Sequence, residues 1–359
     1  MAESSYVALG VMSGTSMDGI DAAILRTDGE RILETGPTHA VPYDGKFREH
    51  LRGAIGENPV ADVNAVAAEL TRRHAAVVGD LLDLCGDDFS RPRVIGFHGH
   101  TVFHRPADGI TRQIGDGGLL AAQTGIPVVA DFRSNDVAAG GEGAPFAPLY
   151  HAALADDLEK PLAVLNVGGV ANVTWIGETG EVLAFDTGPG NALIDDWVKA
   201  ATGLPMDKGG QLAGSGWVNS DVLQQLTDNA YFDRKPPKSL DRNDFSMQAV
   251  ADLSPADGAA TLSAFSAAAV AKAAEYFPAP AKRWLVCGGG RHNGTLMKML
   301  EDGLRASVAP VEAVGWDGDF LEAQAFAFLA VRSIHGLPLS LPTTTGVRSP
   351  QTGGILYQA

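Results

Sequence analysis

Apolar residues along this chain arrive in two rhythms. Short, nearly unbroken runs such as Tyr6-Val-Ala-Leu-Gly-Val-Met12, Val94-Ile-Gly-Phe97, Leu162-Ala-Val-Leu-Asn-Val167 and Trp284-Leu-Val-Cys287 have the length and composition of buried strands. Elsewhere apolar positions recur every three or four residues, as with Val63, Val66, Leu70 and Val77, which share one face of a helix. The first half predicts strands near 5–12, 20–27 and 31–42, helices near 45–56 and 59–85, and a strand at 94–97. A turn-rich stretch follows at 104–116, then a short helix at 117–125 and a strand at 128–130. The second half predicts strands at 162–167, 171–176 and 182–186, helices near 190–202, 217–229 and 259–277, and a strand at 284–287. A helix from about 293, a strand near 307–314 and a helix over 319–335 complete it. Three strands followed by alternating helix and strand occur twice, an α/β pattern with a mixed sheet in each half.

The opening of each half is the same device. Met12 leads into the turn Ser13-Gly-Thr-Ser-Met-Asp-Gly19 and then Ile20-Asp-Ala-Ala-Ile-Leu25; Val167 leads into Gly168-Gly-Val-Ala-Asn172 and then Val173-Thr-Trp-Ile176. Strand, glycine turn and strand, twice in one chain, predict two related lobes facing each other across a cleft. Their expected extents are 1–135 with about 340–359, and 136–339; the glycines and proline of Ala138-Ala-Gly-Gly-Glu-Gly-Ala-Pro145 mark the expected hinge. Glycine turns present backbone N–H groups without side-chain obstruction, which suits phosphate oxygens. The first turn is not a Walker loop, since no Gly-Lys-Ser/Thr closes it. A duplicated cradle nevertheless points to nucleotide chemistry.

Composition narrows the class. At 359 residues, 45% hydrophobic and 19% charged, the chain can bury a full core, and its length favours about two domains. A net charge of −16 argues against nucleic-acid binding and requires local donors for any anionic substrate. Cys85 and Cys287 lie in apolar surroundings without metal-ligand spacing, as expected of two buried thiols in a reducing compartment. No signal peptide and no apolar span of about 20 residues is legible, so a cytoplasmic protein with no membrane partner is expected.

Three further segments carry chemistry. Asp186-Thr-Gly-Pro-Gly-Asn191 places a carboxylate at a strand end and a capping residue at a helix entrance, so Asp186 stays available while Asn191 caps. Cys287-Gly-Gly-Gly-Arg-His-Asn293 lets a flat ring lie against Gly288, Gly289 and Gly290, with Asn293 capping the next helix; a nucleoside site is the better reading. His98-Gly-His-Thr-Val-Phe-His104 follows a strand and lacks the helical spacing of zinc hydrolases, so polar ligand contacts from His98, His100 and Thr101, or satisfied structural histidines, are expected rather than a metal. Gln113-Ile-Gly-Asp-Gly117 joins that wall through Gln113, Gly115 and Asp116. Asp207-Lys-Gly-Gly210 adds Lys208 and Gly209, and Glu322 opens an apolar helix, where a carboxylate also suits the helix N-terminus. Arg133, Arg234 and Lys238 are loop cations that suit an anionic substrate, although the usual place of each is the exposed surface.

Taken together these segments resemble the anhydro-N-acetylmuramic acid kinase family of the sugar kinase, Hsp70 and actin superfamily. The matching segments run in order from Met12-Ser-Gly-Thr-Ser-Met-Asp-Gly-Ile-Asp21 through Gly96-Phe-His-Gly-His-Thr101, Gln113-Ile-Gly-Asp-Gly117, Asp131-Phe-Arg133 and Asn166-Val-Gly-Gly-Val-Ala-Asn172. Phe185-Asp-Thr-Gly-Pro-Gly-Asn191, Asp207-Lys-Gly-Gly210, Pro236-Pro-Lys-Ser239, Gly288-Gly-Gly290 and Glu322-Ala-Gln-Ala-Phe326 continue it. The resemblance implies two ribonuclease H-like, actin-like ATPase lobes. It implies a cytoplasmic, homodimeric enzyme of peptidoglycan recycling that uses ATP with Mg²⁺ to convert 1,6-anhydro-N-acetylmuramic acid and water into N-acetylmuramic acid 6-phosphate. It makes Asp186 the general base, Glu322 its acidic neighbour, and the loop through Gly14, Thr15, Ser16, Met17, Asp18, Gly19, Ile20 and Asp21 the ATP loop, with Ser13 beside it. Gly168, Gly169, Asn172, Lys208, Gly209, Gly288, Gly289, Gly290 and Asn293 complete the nucleotide side; His98, His100, Thr101, Gln113, Gly115, Asp116 and Arg133 form the sugar side. A kinase of the same superfamily acting on an ordinary sugar hydroxyl, and an ATP-gated binding protein, are the alternatives.

Overall fold

The computed structural model describes residues 5–240 and 244–359. The chain divides into two compact units, residues 1–156 with 320–359 and residues 157–319. The first unit begins with the meander β1 (Tyr6–Ser13), β2 (Gly19–Thr27) and β3 (Ile32–Pro42). Helices α1 (Gly45–Gly53) and α2 (Val63–Leu84) lead to the hairpin β4 (Val94–Arg105) and β5 (Ile110–Ile114), then α3 (Gly117–Thr124), β6 (Val128–Ala130), α4 (Ser134–Ala138) and α5 (Pro148–Leu154). The second unit repeats the meander as β7 (Leu162–Val167), β8 (Val170–Ile176) and β9 (Val182–Pro189). It continues with α6 (Ala192–Thr202), α7 (Gln211–Gly214), α8 (Ser220–Thr227), α9 (Pro255–Ala274), β10 (Arg283–Cys287), α10 (Gly294–Leu304) and β11 (Ser307–Pro310). The chain then returns to the first unit as α11 (Leu321–Ile334), α12 (Pro342–Thr345) and β12 (Ile355–Tyr357).

The sheets share one order. It runs β3-β2-β1-β4-β6 in the first unit, extended by β12, and β9-β8-β7-β10-β11 in the second. In both, the meander is antiparallel and the fourth and fifth strands run parallel to the first. Each unit therefore has the mixed α/β sheet that the duplicated pattern predicts, in the ribonuclease H-like arrangement that the resemblance implies. Among the described residues, a core cluster of the first unit includes Leu9, Ile24, Phe47, Leu70 and Phe97. The second unit has two: one against the sheet (Trp175, Phe185, Trp284) and one among helices (Trp197, Phe232, Phe265). Among the described residues no helix is long and apolar enough to cross a membrane.

The division falls elsewhere than the sequence suggested. Residues 136–156 and α11 belong to the first unit, and the glycine-rich expected hinge lies inside it. There Gly143 N–H donates to Asp136 Oδ1 at 2.7 Å, and Glu142 N–H donates to the Thr345 carbonyl at 2.7 Å. α11 lies against β1, β2 and β4 because Gly10 and Gly96, neighbours in register, leave a notch for it. A Cβ on Gly10 would stand 1.8 Å from the Ala323 carbonyl oxygen, and one on Gly96 2.0 Å from that of Phe326. The turn-rich stretch at 104–116 is largely the β4–β5 hairpin, hidden by the polar residues of β4 beyond Phe97. The strand expected over 307–314 ends at Pro310 and continues as a 3₁₀ turn.

Candidate active site

In the second unit, Asn166, Asn172 and Asp186 stand in line across β7, β8 and β9. Cross-strand neighbours in register share a face, so this row gathers two amides beside the buried Asp186. Immediately after Asp186 the pairing slips: Asn172 lies opposite Asp186 and Ala171 opposite Gly188, leaving Thr187 as the extra residue of a bulge. A bulge bends its strand and re-aims adjacent side chains. The outer edge of β9 is closed by the segment 231–240. Asp186 N–H donates to the Lys238 carbonyl at 3.0 Å, Tyr231 Oη donates to the Asp186 carbonyl at 2.5 Å, and Leu240 N–H donates to Asp186 Oδ2 at 2.9 Å. A carboxylate whose main chain is held on both sides, with a backbone donor on one oxygen, has a fixed direction.

Glycine turns gather at the carboxyl ends of β7 and β10, where open α/β sheets take ligands. Gly168 and Gly169 accept N–H bonds from Asn191, Gly190 and Ala192 at 2.7–3.2 Å, tying the β7–β8 turn to the start of α6. Gly288 and Gly290 pack so closely on Asn166 and Val167 that a Cβ would lie 2.3 and 2.4 Å from them. Gly168, Gly169 and Gly289 have room for a Cβ, with nearest contacts of 3.5, 3.6 and 3.8 Å, so packing does not require glycine there. Asn293 caps α10 through Leu296 N–H at 2.9 Å, and Thr295 Oγ1 donates to the Gly210 carbonyl at 2.7 Å, bringing the 207–210 turn beside that cap. Lys208 and Gly209 are exposed on that turn. Arg291, outside the sequence reading, is buried and paired with Glu312 and Asp319, both at 2.8 Å, bracing the Gly288–Gly290 run.

The first unit sorts its predicted residues differently. Thr15, Ser16 and Asp18 are exposed at the loop tip, where Ser16 Oγ donates to Asp18 Oδ1 at 2.8 Å, and Met17 takes a left-handed φ of 56°. Gly14 and Asp21 are half-buried. Ser13, Gly19 and Ile20 are interior: Ile20 is in the core, and Ser13 Oγ accepts from Tyr43 Oη at 2.8 Å and pairs with His100 Nδ1 at 3.0 Å. His100 is fully buried, and burial lowers its pKa to about 4. His104 is likewise engaged, with Thr111 Oγ1 and the Glu142 carbonyl, both at 3.0 Å.

His98 borders a cavity of the first unit. Arg133 Nε donates to His98 Nε2 at 3.0 Å, which requires the proton on Nδ1, facing the Gly99 carbonyl at 3.0 Å. Burial, with the Arg133 charge, holds the ring neutral well below its usual range. Its ring lies 4.5 Å from that of Phe326, one turn along α11 from Glu322. Glu322 reaches solvent but is crowded by protein, and that desolvation pushes its carboxyl upward; Arg133 opposes the shift and Asp18 adds to it. Around His98 is a cavity of about 210 Å³ lined also by Thr111, Gln113, Asp131, Ser134 and Tyr357. Gln113 Nε2 donates to Thr101 and Thr111 at 3.2 and 2.9 Å, Gly115 lines the same cavity, and Asp116 caps α3 through Leu119 N–H at 2.9 Å. Tyr357 comes from the terminal strand β12, which no hydrophobic pattern announced.

The family described as anhydro-N-acetylmuramic acid kinase matches this chain over residues 6–359. A Rhodospirillum rubrum protein named anhydro-N-acetylmuramic acid kinase is 56% identical over 356 residues, covering 98% of this chain and 94% of its own length. A Paramagnetospirillum magneticum protein of the same name is 57% identical over 351 residues, covering 97% of this chain and 98% of its own. With both units inside the match, the chain belongs to the anhydro-N-acetylmuramic acid kinase family.

Proposed function

We propose that this enzyme converts 1,6-anhydro-N-acetylmuramic acid, ATP and water into N-acetylmuramic acid 6-phosphate and ADP, in the recycling of cell-wall peptidoglycan. Family membership across both units supports the reaction, and the aimed, half-enclosed Asp186 carboxylate is the observation that supports its chemistry. Water attacks the anomeric carbon from the face opposite the bridge oxygen, and Asp186 takes its proton, as the base of an inverting glycosidase does. The C1–O6 bond breaks and O6 takes the γ-phosphoryl group, so phosphorylation stands in for a general acid. One base then suffices. Glu322, with its raised carboxyl, orients the water, while His98 and Arg133 hold the sugar.

Gly168, Gly169 and Gly289 supply backbone N–H groups to phosphates, and the loop from Gly14 to Asp18 supplies hydroxyls and a carboxylate. Mg²⁺ asks little of a kinase beyond one or two carboxylates, since phosphate and water oxygens fill its other positions. The exposed Asp18 fits that need, and the ion when bound neutralises phosphate charge. Cytoplasmic location and a homodimer complete the proposal; mass in solution tests the latter. The decisive assay mixes protein, anhydro-sugar and Mg-ATP in ¹⁸O-water. The expected product is the 6-phosphate carrying one label at C1. An unlabelled phosphorylated sugar, or ADP release independent of the sugar, overturns the proposal.

A further inference from the structure

Lysine is among the residues least often buried without a partner, and Lys238 is 2% exposed. Its ammonium donates to the Tyr231 carbonyl at 3.0 Å and lies 3.5 Å from that of Phe232. It sits over the Tyr231 ring at 4.5 Å and the Tyr276 ring at 5.1 Å, two π faces that attract a desolvated cation. Tyr276 Oη in turn donates to the Phe232 carbonyl at 2.7 Å, fixing the far wall of this cage just beyond α9. The sequence grouped Lys238 with Arg133 and Arg234 as loop cations suited to an anionic substrate or the exposed surface; of the three, Arg234 is the exposed one, lying on the Tyr231 ring at 5.6 Å.

The links close a ring. Tyr231 carbonyl meets Lys238 ammonium; Lys238 carbonyl meets Asp186 N–H; Asp186 carbonyl meets Tyr231 hydroxyl. Two residues beyond Lys238, Leu240 N–H binds the Asp186 carboxylate itself. We propose that Lys238 is a positioning residue for Asp186: its caged ammonium locks the 231–240 segment onto the open edge of β9 and so aims the carboxylate. The proposal rests on Asp186 being the base. A methionine would fill the same space without a donor or a charge, so the hydrogen-bonded closure is what lysine adds. Burial pushes the amine down to about 8, with Arg234 helping and Asp233 opposing, the signature of a cation held by carbonyls and rings rather than by a carboxylate. Displacing a reacting group by about 1 Å costs on the order of 10²-fold in rate.

The test compares Lys238→Met, Lys238→Arg, Tyr231→Phe and Asp186→Asn in the full-length protein, by steady-state kinetics on anhydro-sugar and Mg-ATP. Lys238→Met is expected to lower kcat about 10–100-fold with both KM values within about threefold, because aim is lost and binding is not. Lys238→Arg, which keeps a cation that stacks on tyrosine and donates to carbonyls, should recover most of that kcat. Tyr231→Phe keeps the cage and cuts the ring at Asp186; it should lower kcat in the same way, and decides the matter if Lys238→Met does not fold. Wild-type kcat in the folded fraction of Lys238→Met or Tyr231→Phe, or no recovery with arginine, overturns the positioning role. If Asp186→Asn itself keeps more than about a tenth of the rate, less than the loss of a base entails, the base assignment fails, whatever Lys238 does.

Discussion

β3 and β9 hold the same place, each the third strand and outer edge of its meander, yet they are made for different work. β3 is mostly exposed or half-buried, and its one acid, Glu34, makes a 3.4 Å ion pair with Arg26 in solvent. β9 is buried along nearly its whole length, carries a bulge at Thr187, and has its edge covered by the segment 231–240. The duplicated topology supplied two equivalent edges, and one was enclosed around a carboxylate. A short hydrogen-bonded segment is thus enough to convert an open strand edge into a holder for Asp186.

Four measurements put this contrast at risk. The largest effect is expected for Asp186→Asn, which keeps the shape of β9 and removes the proton acceptor: sugar-dependent ADP release should fall about 10⁴-fold with nucleotide binding unchanged. Next is Gly96→Ala in the notch under α11. Its Cβ meets backbone at 2.0 Å, so we expect a stability loss of about 3 kcal/mol or more by urea titration of the first unit. Unchanged stability would mean that α11 can lift away freely.

The third effect is acid sensitivity confined to the first unit. His74 and His100 are fully buried there with pKa values lowered to about 4, whereas His292, the one histidine between residues 157 and 319, is exposed. Their rings stay neutral when folded but take protons near pH 6.5 when unfolded. Stability is therefore complete above about 6.5 and falls as pH drops towards 4, by up to about 1.4 kcal/mol per pH unit for each ring. Hydrogen exchange at pH 7 and pH 5 should show β1, β4 and α2 losing protection while β7 and β10 keep theirs; equal losses would refute it. The smallest effect belongs to β3: Glu34→Gln should change stability by less than about 0.5 kcal/mol and leave turnover intact, since exposed ion pairs contribute little.

Much of this was legible in the sequence because period and punctuation agree. The two meanders, their glycine turns and the strand before Asp186 stand out as apolar runs ended by small polar residues. What stayed hidden depends on contacts distant in sequence. Nothing near Ser13 or His100 says that they bond each other across 87 residues, and their polar character suits ligand contacts equally well. Lys238 looks like any loop cation until two tyrosine rings enclose it. The unit boundary was misplaced because Gly10 reads as a flaw in a strand, and its function as half of a notch requires knowing that Gly96 lies beside it.

That notch also has a history in time. The first unit is discontinuous: its sheet is complete through β6 well before α11 is made, with all of residues 157–319 in between. A chain growing from its N-terminus at about 5–20 residues per second leaves the Gly10–Gly96 groove uncovered for on the order of ten seconds or more, while the second unit, contiguous in sequence, can already fold. The helix that carries Glu322 is thus the piece that finishes the earlier half from behind. Ribosome-bound chains that stop short of residue 334 should hold a folded second unit beside a first unit still open to chaperones and proteases.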